Sequence, residues 1–375
     1  MDPRIAVVGA GWSGVVVARV LADSGYRVEL IEKSPVIGGH ARFETVNGVF
    51  YEPNGPHIFH TSNPKVANFV MRFGLNRPYR HMVLTEVFLS EDDEEPRLLS
   101  WPPQVSELED LPIWPSIRSE LEMLPQHPAG EDFETYVTSM MGPTLFDLLI
   151  RGYTLKQWGR DPSQLSSRLA PKRVELRRDG YRRLFRDKWE FFPATGYNTI
   201  IEAIAADIPL TSGWGVDYRD LDTIGDEFDA MVMTGPLDDF LGKPGMLEWR
   251  GISSVARFNP DVGKAETFTP AYVVNRPSLR VPHTRTVETK HATGQRIAGT
   301  VVCEEYPGSL ERHYPVHTVE ETWERRNKEL QIEIQEMSPI PLFFTGRLAN
   351  YQYINQDQAI EQAWECATNV RQLIV

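Results

Sequence analysis

Residues Ile5-Ala-Val-Val-Gly9-Ala-Gly11-Trp-Ser-Gly14 are followed, one helical stretch later, by Arg27-Val-Glu-Leu-Ile-Glu32. The order is strand, glycine turn, helix and second strand, which is the arrangement of a dinucleotide site. Gly9 permits the tight turn, Gly11 lets backbone approach a pyrophosphate at a helix N-terminus, and Gly14 allows the helix to pack closely. Glu32 closes the second strand, where a carboxylate accepts from ribose hydroxyls. A lone glycine pattern also serves plain strand-to-helix connections, but here strand, spacing and acid agree. Gly38 and Gly39 come directly after the acid. That continuation is expected of FAD-type flavoproteins rather than of free NAD dehydrogenases, so FAD is the leading cofactor.

A chain of 375 residues is long enough for two or three packed layers or domains. Its 39 basic and 52 acidic residues give a net charge of −13, which disfavours general nucleic-acid binding and adhesion to anionic membranes. An anionic ligand must therefore meet a local basic patch. Cys303 and Cys366 lack metal-ligand spacing, so neither a disulfide framework nor a metal site is expected, and a reduced cytoplasmic setting is. No apolar run approaches the roughly 18 residues that a membrane span needs. Neither a signal peptide nor an internal repeat is expected.

Beyond the nucleotide unit the chain is interrupted. Gly55-Pro-His57-Ile-Phe-His60-Thr61 is a glycine-led loop with two histidines, followed by a helical stretch over 64–73. The acidic, proline-marked segment 91–103 reads as a hairpin or linker, and 105–188 shows helical periods broken by prolines. Strand-like runs such as Ala271-Tyr-Val-Val and Gly299-Thr-Val-Val-Cys suggest an antiparallel sheet over a cleft. Leu342-Phe-Phe-Thr-Gly346-Arg347 reads as a buried strand and glycine turn that returns a second helix to the cofactor. The expected fold is α/β: a discontinuous FAD-binding Rossmann-like domain (1–78, 206–246 and 318–375), a helical-bundle insert (103–190) and a small antiparallel-sheet substrate domain (79–102, 191–205 and 247–317).

Ile150-Arg-Gly152-Tyr153-Thr-Leu-Lys156-Gln157-Trp158-Gly159-Arg160 resembles the signature of bacterial UDP-galactopyranose mutases. Further segments resemble the same family in the same order, among them Gly55 to Thr61, Thr234 to Asp238, Val281-Pro-His-Thr-Arg285, Glu305-Tyr-Pro307, Tyr314-Pro315 and Gly346 to Tyr353. Together they span almost the whole chain. The resemblance implies a homodimeric isomerase that interconverts pyranose and furanose forms of a nucleotide sugar. Reduced FAD would act through its N5, which attacks the anomeric carbon and expels the nucleotide, with NAD(P)H as the external reductant.

The resemblance also assigns roles. Arg173 and Arg285 would clamp the diphosphate, a task that suits the planar, permanently charged guanidinium. Tyr314 and Tyr353 would donate to the same diphosphate, Tyr153 would stack on the uracil, and Trp158 would pack near the sugar. His57 would lie against the isoalloxazine and Arg347 would face the FAD pyrophosphate. The rest of the basic run from Arg177 to Lys188 reads as a solvated helix face.

Departures from the family pattern leave the base and the sugar open. Leu184 or Tyr181 stands where a further tyrosine is usual, and His81 where an asparagine is. His283, Thr195, Asn275-Arg276-Pro277 and Ile354-Asn355-Gln356 also differ. The chain reads either as a divergent UDP-galactopyranose mutase or as a paralogue that contracts another nucleotide sugar. Two other classes stand beside this reading, an FAD-dependent oxidoreductase of the amine-oxidase type and a non-catalytic binding protein on the same scaffold.

Overall fold

The computed structural model describes residues 2–170 and 174–374. Its first strand, Arg4–Val8, is apolar on both faces because it sits in the middle of a five-stranded parallel sheet. Across that sheet the order is Leu210–Ser212, Arg27–Glu32, Arg4–Val8, Ala230–Met233, Leu342–Phe344. The helices Trp12–Asp23 and Gln356–Leu373 share one core with Ile5, Val7 and Leu30. On the opposite face, Ala6 and Ile31 share a second core with Leu330 and Ile334 of the helix Thr322–Met337. Val8, Met233 and Phe344 are aligned by the register, so their strands end together. The turns that follow, at Gly9, Thr234 and Gly346, therefore meet at the carboxyl edge, where open α/β sheets bind ligands.

A second sheet of six strands runs Trp249–Asn259, Thr300–Pro315, Arg285–Val287, Val273–Asn275, Val83–Val87, Arg97–Trp101. The sequence suggested a wholly antiparallel sheet, but Val273–Asn275 and Val83–Val87 run parallel. They come from distant parts of the chain, so no tight hairpin dictates their direction. The acidic segment is the turn of the hairpin that joins Val83–Val87 to Arg97–Trp101.

The helices Val105–Leu108, Trp114–Glu122, Phe133–Met141, Pro143–Phe146 and Gly152–Trp158 pack against the second sheet, sharing a core with its Val87 and Leu99. Asp132 caps Phe133–Met141 by accepting from the Thr135 N–H. Asp147–Arg151 is a wider π turn directly before Gly152, a feature often found at functional sites. Helix ends at Trp158, and the described residues from Gly159 to Lys188 hold only short 3₁₀ turns and isolated β-bridges at Leu165, Ser166 and Arg177. The basic run is therefore not a helix face. Arg177 is 3% exposed, and its guanidinium donates to the carbonyls of Tyr181, Arg183 and Leu184. A five-donor fork taken out of water needs such acceptors, and the loop wraps around it to supply them.

Candidate active site

The glycine turn is built by close approach. Gly9 has φ +102°, and a Cβ there would lie 2.1 Å from Thr234 Oγ1. A Cβ on Gly14 would lie 1.8 Å from the Gly9 carbonyl oxygen, so the helix reaches the strand only with glycine at that position. Gly11, the N-cap of Trp12–Asp23, faces Gly39, whose added Cβ would sit 3.2 Å from the Gly11 Cα. No side chain caps this helix, which leaves its first N–H groups for an anion. Glu32 is buried, and its oxygens accept from the N–H groups of Ala10 at 2.7 Å and Ser34 at 2.8 Å. The carboxylate thereby fixes the turn and keeps lone pairs for ribose hydroxyls. Gly346 packs against Ser13, which brings Arg347 beside the same helix start. Donor set, glycine cradle and acid all fit an FAD-type dinucleotide.

From this edge a cavity runs between the second sheet and the helices. His57, Tyr153, Trp158, Arg285, Tyr314, Tyr353 and Arg347 all line it. Trp158, Tyr314 and Tyr353 are mutual neighbours, with ring centroids 5.7–6.3 Å apart. The Arg347 guanidinium carbon lies 5.6 Å from the Tyr314 ring and 5.3 Å from that of Tyr353. Arg347 also donates to the carbonyls of His313 and Ile354. Arg173 lies outside the described residues.

The geometry explains the order of residues in the helical motif. Gly152 meets the Pro277 carbonyl, which a Cβ would approach to 2.2 Å. Four residues on, the Lys156 ammonium donates to the carbonyls of Arg276, Ser278, Val281 and His283 and ties that loop to the helix. Arg250 donates to the carbonyls of Gln157 and Lys156, a favourable cation at a helix C-terminus, and left-handed Gly159 makes room for it. Tyr153 and Trp158 are thus held against the strand that carries Arg285.

Strand register orders the facing wall. Arg285 pairs with Asn275, Asn275 with Thr85 and Thr85 with Leu99, forming one cross-strand row. Two residues along each strand, on the same face, Val287, Val273, Val83 and Trp101 form the next row. Asn275, Arg285, Val273, Val83 and Trp101 reach the cavity.

Arg285 is the electrostatic centre. Its Nε donates to Glu305 Oε2 at 2.5 Å, and its Nη2 lies 3.5 Å from the Tyr314 hydroxyl. Glu305 is fully buried, and its Oε1 has no hydrogen-bond partner among the described residues. Burial pushes the Glu305 carboxyl up and Arg285 pulls it back. Burial also opposes the charge on Arg285, but Glu305 foremost holds its ionisation well above the usual arginine range. Burial pushes the Tyr153 hydroxyl up to about 12 and raises that of Tyr314, so both are neutral donors near pH 7.

The sequence did not single out Glu305 or Glu52 as working residues. Glu52 accepts from the His57 N–H at 2.7 Å, from Thr289 Oγ1 at 3.1 Å and from the Tyr272 hydroxyl, which fixes the His57 loop. A glutamate at the end of an apolar run, as at Val49-Phe-Tyr-Glu52 and Val301-Val-Cys-Glu-Glu305, reads as the solvent side of a strand; only the fold shows that both are buried. Among the departures, His81, Leu184, Asn275, Asn355 and Gln356 line the cavity, while His283 lies outside it against Tyr306. Tyr181 turns away and donates to the Phe185 carbonyl, so Leu184 is the residue that faces the cavity.

A family model described as UDP-galactopyranose mutase matches residues 148–353, more than half of the chain. The chain belongs to the UDP-galactopyranose mutase family. It is an isomerase of that family, and a model of NAD(P)-binding Rossmann-like domains matches residues 7–73. A probable UDP-galactopyranose mutase of Klebsiella pneumoniae is 28% identical over 98% of this chain and 94% of its own. A dTDP-fucopyranose mutase of Escherichia coli is 25% identical over 97% of each. The fold superposes on a crystal structure of reduced UDP-galactopyranose mutase with a TM-score of 0.78 at 18% identity, covering 100% of this chain and 96% of that one. No helix among the described residues is long and apolar enough to cross a membrane.

Proposed function

We propose that this chain interconverts the pyranose and furanose forms of a nucleotide-linked hexose with reduced FAD as its working cofactor. The observation that carries the reading is the meeting of Arg285, Tyr314, Tyr353 and Trp158 in one cavity that Arg347 also lines. Gly9, Gly11, Gly14, Glu32, Gly39 and Arg347 would hold the FAD. When bound and reduced, it would supply a nucleophile, its N5, toward the anomeric carbon, with NAD(P)H as the reductant that primes it.

The chain's own residues do the rest. Arg285, fixed by Glu305 through Nε, presents Nη2 3.5 Å from the Tyr314 hydroxyl, so a cation and a neutral donor stand side by side. A diphosphate leaving group develops charge as the anomeric bond breaks, and donors already in place stabilise it without reorganisation. Tyr353 adds a second hydroxyl and Trp158 an apolar wall that limits water. Tyr153 offers a flat face to a nucleobase, and Leu149, Ile150 and Phe133 line the same cavity. Holding the nucleotide at both ends keeps it near the opened sugar until the ring recloses.

The test is anaerobic incubation of the dithionite-reduced protein with UDP-galactofuranose and then with other nucleotide furanoses, products being separated by chromatography. The expected result is ring isomerisation with no net consumption of reductant. Steady NAD(P)H or oxygen consumption with a nucleotide sugar would replace the proposal by an oxidoreductase. A purified protein that neither holds flavin nor converts any nucleotide sugar would replace it by a binding role.

A further inference from the structure

His40 stands next to the glycine cradle, and nothing in the site described so far uses it. The Gly38 N–H donates to the Ala10 carbonyl at 2.9 Å and Gly39 lies against Gly11, so His40 follows directly on the contact with the helix start. Its ring stacks on that of His313, with centroids 4.4 Å apart and planes 18° from parallel. The His313 carbonyl in turn accepts from Arg347 at 3.1 Å. His313 thus links the glycine turn after the second strand to the arginine after the last. Both nitrogens of His313 are engaged: Nδ1 accepts from the Ile252 N–H and Nε2 faces Asn54 Oδ1, each at 3.3 Å. Neither nitrogen of His40 has a hydrogen-bond partner among the described residues.

The surroundings of His40 oppose a charge on it. Burial foremost, then His313, Arg347, His57 and Lys33, holds its ionisation well below the usual histidine range. The acids of the region are occupied. Glu32 accepts from the Ala10 and Ser34 N–H groups, and Glu52 from the His57 N–H, Thr289 and Tyr272. Farther along, Arg42 and Glu44 pair with each other at 3.7 Å. What the cluster lacks is an anion. We infer that His40 is a ligand of the FAD pyrophosphate and takes up a proton from solvent when the cofactor binds. The inference rests on the FAD reading above. A pyrophosphate at the helix start brings two negative charges beside Arg347, Lys33 and the imidazole. Repulsion that keeps the ring neutral is then replaced by attraction and a charge-assisted hydrogen bond. The stack on His313 fixes the ring without using either nitrogen.

The test is the release of FAD from the oxidised full-length holoprotein on dilution, read as free-flavin fluorescence at equilibrium at a series of pH values from 6 to 8.5. A pyrophosphate diester does not itself titrate in this range. Uptake of one proton raises Kd by up to about 10-fold per pH unit for as long as the bound ring stays charged. The expected result is therefore a Kd that rises roughly 10-fold from pH 6 and then levels off. His40→Gln, which cannot be charged, should flatten the profile by weakening binding at pH 6 while leaving it close to native at pH 8.5. His40→Arg, a permanent cation, should also give a flat profile, at the tight end. A native Kd that does not change from pH 6 to 8.5 overturns the inference and leaves the FAD reading standing. A native slope that persists in either variant belongs to another group and overturns it as well. A protein that holds no flavin at any pH overturns both.

Discussion

Glu305→Gln isolates the electrostatics of the proposed diphosphate site with little change of shape. In the native protein a fully buried carboxylate faces a guanidinium whose side chain is 18% exposed, through one hydrogen bond from Nε. The amide can still accept that hydrogen bond with its oxygen, but its NH₂ then takes the place of Oε1, which has no partner among the described residues. The variant thus carries a largely buried cation without its counter-charge and a buried donor without an acceptor. Breaking a buried ion pair costs about 3–5 kcal/mol, and partial exposure of Arg285 places the expectation at about 3. At about 2 °C per kcal/mol for a chain of this size, Tm should fall by about 6 °C. A bound diphosphate returns an anion to Arg285, so saturating UDP should raise the variant's Tm by more than it raises that of the native protein. Turnover should nevertheless fall by up to about 10²-fold, the scale for losing one preorganised donor, because a neutral amide holds the guanidinium fork through one weaker hydrogen bond and without the charge of the carboxylate. Thermal denaturation with and without UDP, set beside chromatographic turnover, checks both statements. A variant with native Tm and native turnover would refute the idea that Glu305 orients Arg285.

Trp158→Ala should weaken nucleotide-sugar binding more than it slows turnover, since the indole is a wall shared with Tyr314 and Tyr353; loss of flavin from that variant would make the residue structural instead. Gly14→Ala should prevent FAD retention, because its Cβ would lie 1.8 Å from the Gly9 carbonyl oxygen, and a yellow variant with native absorbance would contradict the tight turn. Glu190→Gln addresses pH. Burial raises the Glu190 carboxyl to about 7, so from about pH 4.5 to 7 the folded chain holds a proton that the unfolded chain has released. Native stability should fall with rising pH across that window, by about 3 kcal/mol in all, and the variant should lack that slope; urea denaturation between pH 4.5 and 8 giving parallel curves would count against it.

The dinucleotide unit was legible because its signal is local. Gly9, Gly11, Gly14 and Glu32 lie within one strand–helix–strand span, and Gly9, Gly14 and Glu32 each answer a steric or hydrogen-bonding demand made by their neighbours. The helical motif was legible only through resemblance. Gly152 and Lys156 serve the loop 277–283, more than a hundred residues later, and no periodicity in 150–160 announces that partner. Arg177 was misread for a related reason. Charge density in sequence suggests solvent, yet the carbonyls that satisfy this guanidinium come from an irregular turn that no propensity describes.

The sheet shows the same limit most directly. Arg285 and Asn275 are ten residues apart in sequence and Val83 is far from both, yet register alone decides that Asn275 stands beside Arg285 and that Val273 stands beside Val83. A slip of one residue between Val83–Val87 and Val273–Asn275 would turn Val83 away from the cavity and put Met82 or Leu84 of the opposite pleat in its place. The parallel pairing that fixes this register cannot come from a turn, because the two strands are not consecutive. It must come from burial, and Val83, Thr85, Val87, Val273 and Val274 are all buried. The same apolar contacts that secure the sheet therefore choose which side chains line the cavity. Substitutions that retune the pocket at Val83 or Val273 will also test the stability of the register.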